Sequence, residues 1–140
     1  MNRWSMPGIR RIYTIPAKLL PEDVQLTAKA GYTLVINSFY LKEIETEGGA
    51  TCEVTRSNER GEETEKSTLT FRSAEETETE GMAYVVESVM VGCYLIGQKE
   101  KPYPLVEKAA STGEPGGEAR VKTYTVSFAG SSAMTRCEII

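Results

Sequence analysis

The chain has 140 residues, 40% of them hydrophobic, a formal net charge of −4 and no histidine. That length suits one domain burying about two-thirds of its unfolded surface, and the missing histidine removes the commonest general base, the Ser-His and Cys-His nucleophile pairs, and nearly every catalytic zinc or non-haem iron site. Asp23 is the sole aspartate, which excludes an Asp dyad and an EF-hand loop, and Cys52, Cys93 and Cys137 form no CxxC pair, so they predict free thiols in a reducing compartment.

In chain order, residues 1–8 carry no clear pattern and are expected to be disordered. No run reaches the roughly 18 apolar residues of a membrane span, and the start lacks the apolar core of a secretory signal; a soluble, intracellular protein is expected. Residues 9–15 read as a first strand, closed by Pro16 and predicted to lie at a sheet edge. Pro21-Glu22-Asp23-Val24 opens a short helical turn, because proline is tolerated at the first helical position and acids suit the first turn. That pattern fades by Gly31. Tyr32, Leu34 and Ile36 alternate with Thr33 and Val35, and Phe39-Tyr40-Leu41 resumes in another phase, which predicts a bulge or bend at Asn37 in a strand running to Ile44.

Residues 45–49 turn the chain at Gly48-Gly49. Cys52 and Val54, then Leu69 and Phe71, alternate with polar residues on either side of residues 57–65 (SNERGEETE). This is a hairpin with one wet face and a polar loop, followed by residues 73–81 (SAEETETEG), which offer nothing apolar and read as an exposed connection. Residues 82–98 (MAYVVESVMVGCYLIGQ) are the longest stretch nearly free of charge. Their valines would each lose side-chain freedom in a helix, and both alternating faces are apolar, so they predict a buried hairpin reversing near Gly92 and ending at Gly97. Pro102-Tyr103-Pro104 forces an extended exit, and residues 111–118 (STGEPGGE) form a flexible exposed loop. Tyr124, Val126 and Phe128 give the cleanest alternation of the chain, and residues 137–140 either join a sheet or fray. The fold predicted is all-β with little helix: a single antiparallel β-sandwich or barrel of about seven or eight strands.

Charge is uneven. Residues 1–20 carry Arg3, Arg10, Arg11 and Lys18 and no acid, whereas residues 43–80 carry twelve glutamates against Arg56, Arg60, Lys66 and Arg72. The plain reading is solvated loops and strand faces. The sharper one is an interaction surface, with Arg10 and Arg11 on one side and Glu59, Glu62, Glu63, Glu76 and Glu78 on the other, that meets another copy of the chain. Nucleic acid does not fit, since the chain is acidic and its basic residues are not interleaved with aromatics. No cofactor or metal is predicted: no glutamate pair is marked out for glycoside hydrolysis, and Gly113-Glu114-Pro115-Gly116-Gly117 lacks the GK[ST] of a phosphate loop. Cys93 is expected to be an inert packed thiol; Cys52 and Cys137 are left open, and Cys137 would be reactive if exposed, with no basic neighbour beyond Arg136 to activate it. Trp4, Tyr13 and Tyr103 would form a sugar or peptide platform if the fold brings them together.

The residues Met6-Pro7-Gly8-Ile9-Arg10-Arg11-Ile12-Tyr13, the hairpin over 50–72 ending Thr68-Leu69-Thr70-Phe71, Tyr94-Leu95-Ile96-Gly97 with Pro102-Tyr103-Pro104 behind it, and the strand over 124–128 carry a resemblance. In this order of signals the chain resembles small β-rich proteins encoded in prophage-like regions of bacterial genomes, which act as virion or tail-assembly components. The resemblance implies a non-enzymatic structural protein that contacts copies of itself or neighbouring virion proteins, in the cytoplasm or the assembled virion. It carries over no catalytic residue. The alternative is a small module that binds a carbohydrate or peptide on its aromatics.

Overall fold

The computed structural model describes residues 2–59, 61–75, 77–110 and 121–140. In chain order they form β1 (Asn2–Ser5), β2 (Ile9–Pro16), α1 (Val24–Lys29), β3 (Leu34–Ile36), β4 (Lys42–Ile44), β5 (Thr51–Glu59), β6 (Glu62–Ser73), β7 (Met82–Ser88), β8 (Gly92–Ile96), β9 (Leu105–Ala110), β10 (Lys122–Gly130) and β11 (Thr135–Ile139). A five-stranded antiparallel sheet has the order β1-β5-β6-β10-β9. A six-stranded sheet has the order β3-β11-β8-β7-β2-β4, parallel only between β3 and β11. The sheets pack as a sandwich and neither closes into a barrel. No helix among the described residues is long and apolar enough to cross a membrane.

The stretch 82–98 is the hinge of this design, and it is the two-sided hairpin its composition dictates. Tyr84, Val86 and Ile96 face the other sheet and pack with Leu69, Phe71, Tyr124, Val126 and Phe128, while Ala83, Val85 and Leu95 face outward into a second core with Ile15, Leu20, Val24 and Cys137. A strand buried on both faces has no use for alternation. The reversal takes three residues, Val89–Val91, with Ser88 opposite Gly92. Gly92 has φ +93°, a conformation that glycine adopts without steric cost.

Several elements differ from the sequence-based expectation. Residues 2–5 form β1 on the edge of the five-stranded sheet, and Met6, whose N–H donates to the Cys52 carbonyl at 2.9 Å, is buried. Residues 57–59 and 62–65 of the predicted loop are strand: β5 and β6 stay paired to Glu59 and Glu62, because the backbone ladder and an Arg56–Glu65 cross-strand pair sustain strands that have no apolar face to bury. Ser73 and Thr77 are buried within the predicted exposed connection, and the Ser73 hydroxyl donates to the Glu45 carbonyl at 2.6 Å. β2 lies inside the six-stranded sheet, because β4 covers its outer side. α1 begins at Val24, three residues after Pro21. The predicted loop over 111–118 lies outside the described residues.

The single strand predicted over 32–44 is two, at opposite edges of one sheet. Between Ile36 and Lys42 the chain spans at most about 21 Å, whereas the edges of a flat six-stranded sheet are about 24 Å apart. The sheet must therefore curl around the outer core, bringing its two edges toward each other beside α1.

Candidate functional site

The five residues that bridge those two edges set up the surface with the most pronounced chemistry. Asn37 caps a 3-10 turn over Ser38–Tyr40 by accepting a hydrogen bond from the Phe39 N–H at 2.9 Å. Asparagine does this readily because its short side chain mimics a backbone carbonyl. Ser38 N–H donates to the Ile140 carbonyl at 2.9 Å, and Ile140 N–H to the Ile36 carbonyl at 3.0 Å, so the turn is tied to the end of β11. Held this way, Phe39 projects into solvent at 85% exposure, its ring edge-on to Tyr40 at 5.6 Å. Beside it, Leu19, Pro21, Val35, Tyr40 and Ile140 line an apolar groove of about 200 Å³ whose floor includes Ile15 and Ile36. Leu19, Val35, Phe39, Tyr40 and Ile140, all large, apolar and exposed, thus share one corner of the molecule.

The predicted interaction residues do not form one surface. Arg10 is exposed on β2, and neighbouring Arg11, also exposed, lies across its own sheet, 3.8 Å from Glu43 and 4.0 Å from Glu87. Its hydrogen bond with Tyr13, and then these acids, hold its guanidinium above the ordinary pKa. Glu62 and Glu63 lie at the tip of the β5–β6 hairpin, in a polar groove of about 1170 Å³ facing the end of α1. Glu59 ends β5, and Glu76 lies outside the described residues. Glu78 sits with Lys18 and Glu80 in a different cleft. None of them lines the groove beside Phe39.

In the polar groove the closest carboxylate is already used. Glu65 Oε2 accepts from Arg56 Nε at 3.0 Å and Nη2 at 2.6 Å, and Oε1 accepts from the Ala133 N–H at 3.0 Å. Gln25 Oε1 likewise accepts from Ser132 N–H and from Ser131 Oγ. These contacts fasten the β10–β11 connection to the hairpin and α1. The thiols are subdued. Burial pushes Cys52 and Cys137 up to about 12, and burial followed by the charge of Glu87 raises Cys93. Cys137 is buried at 5% exposure, which settles the open alternative against an exposed thiol, because β11 is paired on both sides.

The aromatic platform also differs from the expected one. Trp4 packs edge-on against Tyr94 at 6.5 Å, and no ring contact among the described residues joins it to Tyr13 or Tyr103. Tyr94 in turn shares a groove of about 340 Å³ with Tyr32, Met134 and Arg136. The corner at Phe39 escapes sequence reasoning because its residues come from four separate elements. A usable local signal is Asn37-Ser38, a turn-forming pair directly before two aromatic residues. Comparisons of the chain with protein-family models, with curated proteins and with solved structures find no match.

Proposed function

We propose that this chain is a non-enzymatic assembly protein that works through contacts with other proteins, in the cytoplasm or in an assembled virion, as its resemblance to prophage-encoded virion components implies. The observation that carries the proposal is the apolar corner around Phe39. Single apolar residues scattered on a surface are ordinary, but a contiguous patch marks an interaction site. The exposed parts of these five side chains amount to on the order of 500 Å². Covering them is worth on the order of 10 kcal/mol before the entropic cost of association is subtracted.

Sedimentation velocity over a concentration series, at low and at high salt, tests this. Concentration-dependent growth in mass is expected. A second reading, a carbohydrate- or peptide-binding module, is favoured by the Trp4–Tyr94 pair and the adjoining groove with Tyr32 and Arg136. A chain that stays monomeric in every condition while Trp4 fluorescence responds to glycans or peptides would replace the first reading by the second.

A further inference from the structure

We infer that the apolar corner is a two-fold self-association surface in which Phe39 of each copy fills the groove of the other. The inference rests on the assembly reading and narrows the partner to a second copy of this chain. A two-fold interface uses the same patch on both subunits, so that patch must carry a projection and its complement side by side. This one does. The Phe39 ring stands out on a capped turn, edge-on to Tyr40, and Tyr40 and Asn37 on either side of it help line an apolar groove of about 200 Å³. A dry cavity of about 150 Å³ lined by Leu, Ile and Phe accommodates benzene, so the groove is large enough for a phenyl ring. No charged side chain lines it, and its one polar side chain, Asn37, is engaged in its own turn.

Size and rigidity agree with a dimer. Two copies would bury on the order of 1,000 Å² of apolar surface, close to the roughly 1,200 Å² at which specific interfaces begin. The turn is already fixed by Asn37 and by the backbone bonds between Ser38, Ile36 and Ile140, so little order has to be imposed on binding. The neighbouring edge strand β3 has only three residues, too short a row of backbone groups to recruit a further strand. Contact through side chains closes after two copies, whereas strand addition would propagate.

Sedimentation equilibrium of the wild type, Phe39→Asp and Leu19→Asp tests the pairing. Phe39 is outside the core, so Phe39→Asp leaves circular dichroism unchanged, and leaves thermal unfolding unchanged when both proteins are compared at concentrations where the wild type is monomeric. The wild type is expected to dimerise at micromolar concentration, equally well or better at high salt, and each variant to weaken this at least 100-fold. Mixing the variants supplies one intact knob, from Leu19→Asp, and one intact groove, from Phe39→Asp. The mixture should therefore associate more tightly than either variant alone. Association untouched by Phe39→Asp overturns the two-fold model and leaves the assembly reading standing through another face. A monomeric wild type overturns it too, and a monomeric wild type whose Trp4 fluorescence also responds to glycans or peptides removes the assembly reading with it.

Discussion

Tyr84 and Tyr124 are both fully buried between the sheets, yet their hydroxyls are treated differently. Tyr124 stacks on Phe71 at 5.0 Å and donates its hydroxyl proton to the Glu75 carbonyl at 2.8 Å, which pins the connection after β6 to the core. The Tyr84 hydroxyl has no hydrogen-bond partner among the described residues. A buried polar group without a partner carries its desolvation cost uncompensated, whereas a satisfied one contributes about 1 kcal/mol and leaves an orphan when removed. Tyr124→Phe should therefore destabilise the fold by about 1–2 kcal/mol, and Tyr84→Phe should be neutral or stabilising by up to about 1 kcal/mol. Urea denaturation with unchanged slopes measures both. The opposite order would mean that Tyr84 has a bound water or another acceptor at its hydroxyl.

At the scale of elements, Cys93 on β8 stands directly opposite Cys137 on β11 in an antiparallel pair. Opposed Cα atoms in such a ladder are about 4.5–5.5 Å apart, within the span that a disulfide bridges. Both thiols are free and both are raised by burial, which makes them slow to react. Diamide, which takes up the two protons and two electrons released, is expected to join Cys93 to Cys137 within one chain slowly and to leave Cys52 reduced. Peptide mapping after alkylation reads the connectivity, and a bridge involving Cys52 would contradict the register of β8 and β11.

How far such elements can be read in advance depends on whether they are local. The hairpin of β7 and β8 is legible because its two apolar faces, Gly92 and Gly97 lie within one short stretch. The β5–β6 hairpin is legible from the alternation of Cys52 and Val54 and of Leu69 and Phe71, though the pairing of Cys52 with Leu69 is not. β3 and β4 have three residues each, too few to show a period, and their separation to opposite edges follows from the curl of the whole sheet. The apolar corner inherits that non-locality. Leu19, Val35, Tyr40 and Ile140 meet only after the sheet has curled. Charge misleads in the other direction: Arg11 looks available in the sequence, but the register places it between Glu43 and Glu87 of its own fold.

For the molecule as a whole, the six-stranded sheet serves two cores that differ in what covers them. The inner core lies between two sheets, while the outer one is closed by Val24 of α1 and Leu20 beside it. α1 has six residues and no side-chain cap at its start, and a helix that short has no stability of its own. The outer cover should therefore open at lower cost than the sheets separate. Cys52 in the inner core and Cys137 in the outer one report this cleanly, because burial pushes both from 9.0 up to about 12. A difference in their alkylation rates that Val24→Ala widens then reports opening of the outer cover. At pH 8 Cys137 should be labelled about tenfold faster than Cys52, and Val24→Ala should widen the gap by speeding Cys137 alone. The same shifts fix the alkaline limit. A thiol whose folded pKa is raised keeps its proton where the unfolded chain has lost it, so stability is whole below about pH 9 and falls as the pH rises through about 12. Tyr84, raised by burial from 10.0 to about 12, adds to the loss over the upper part of that window. Equal labelling of Cys52 and Cys137 at every pH would show that the sandwich and its outer cover open only together.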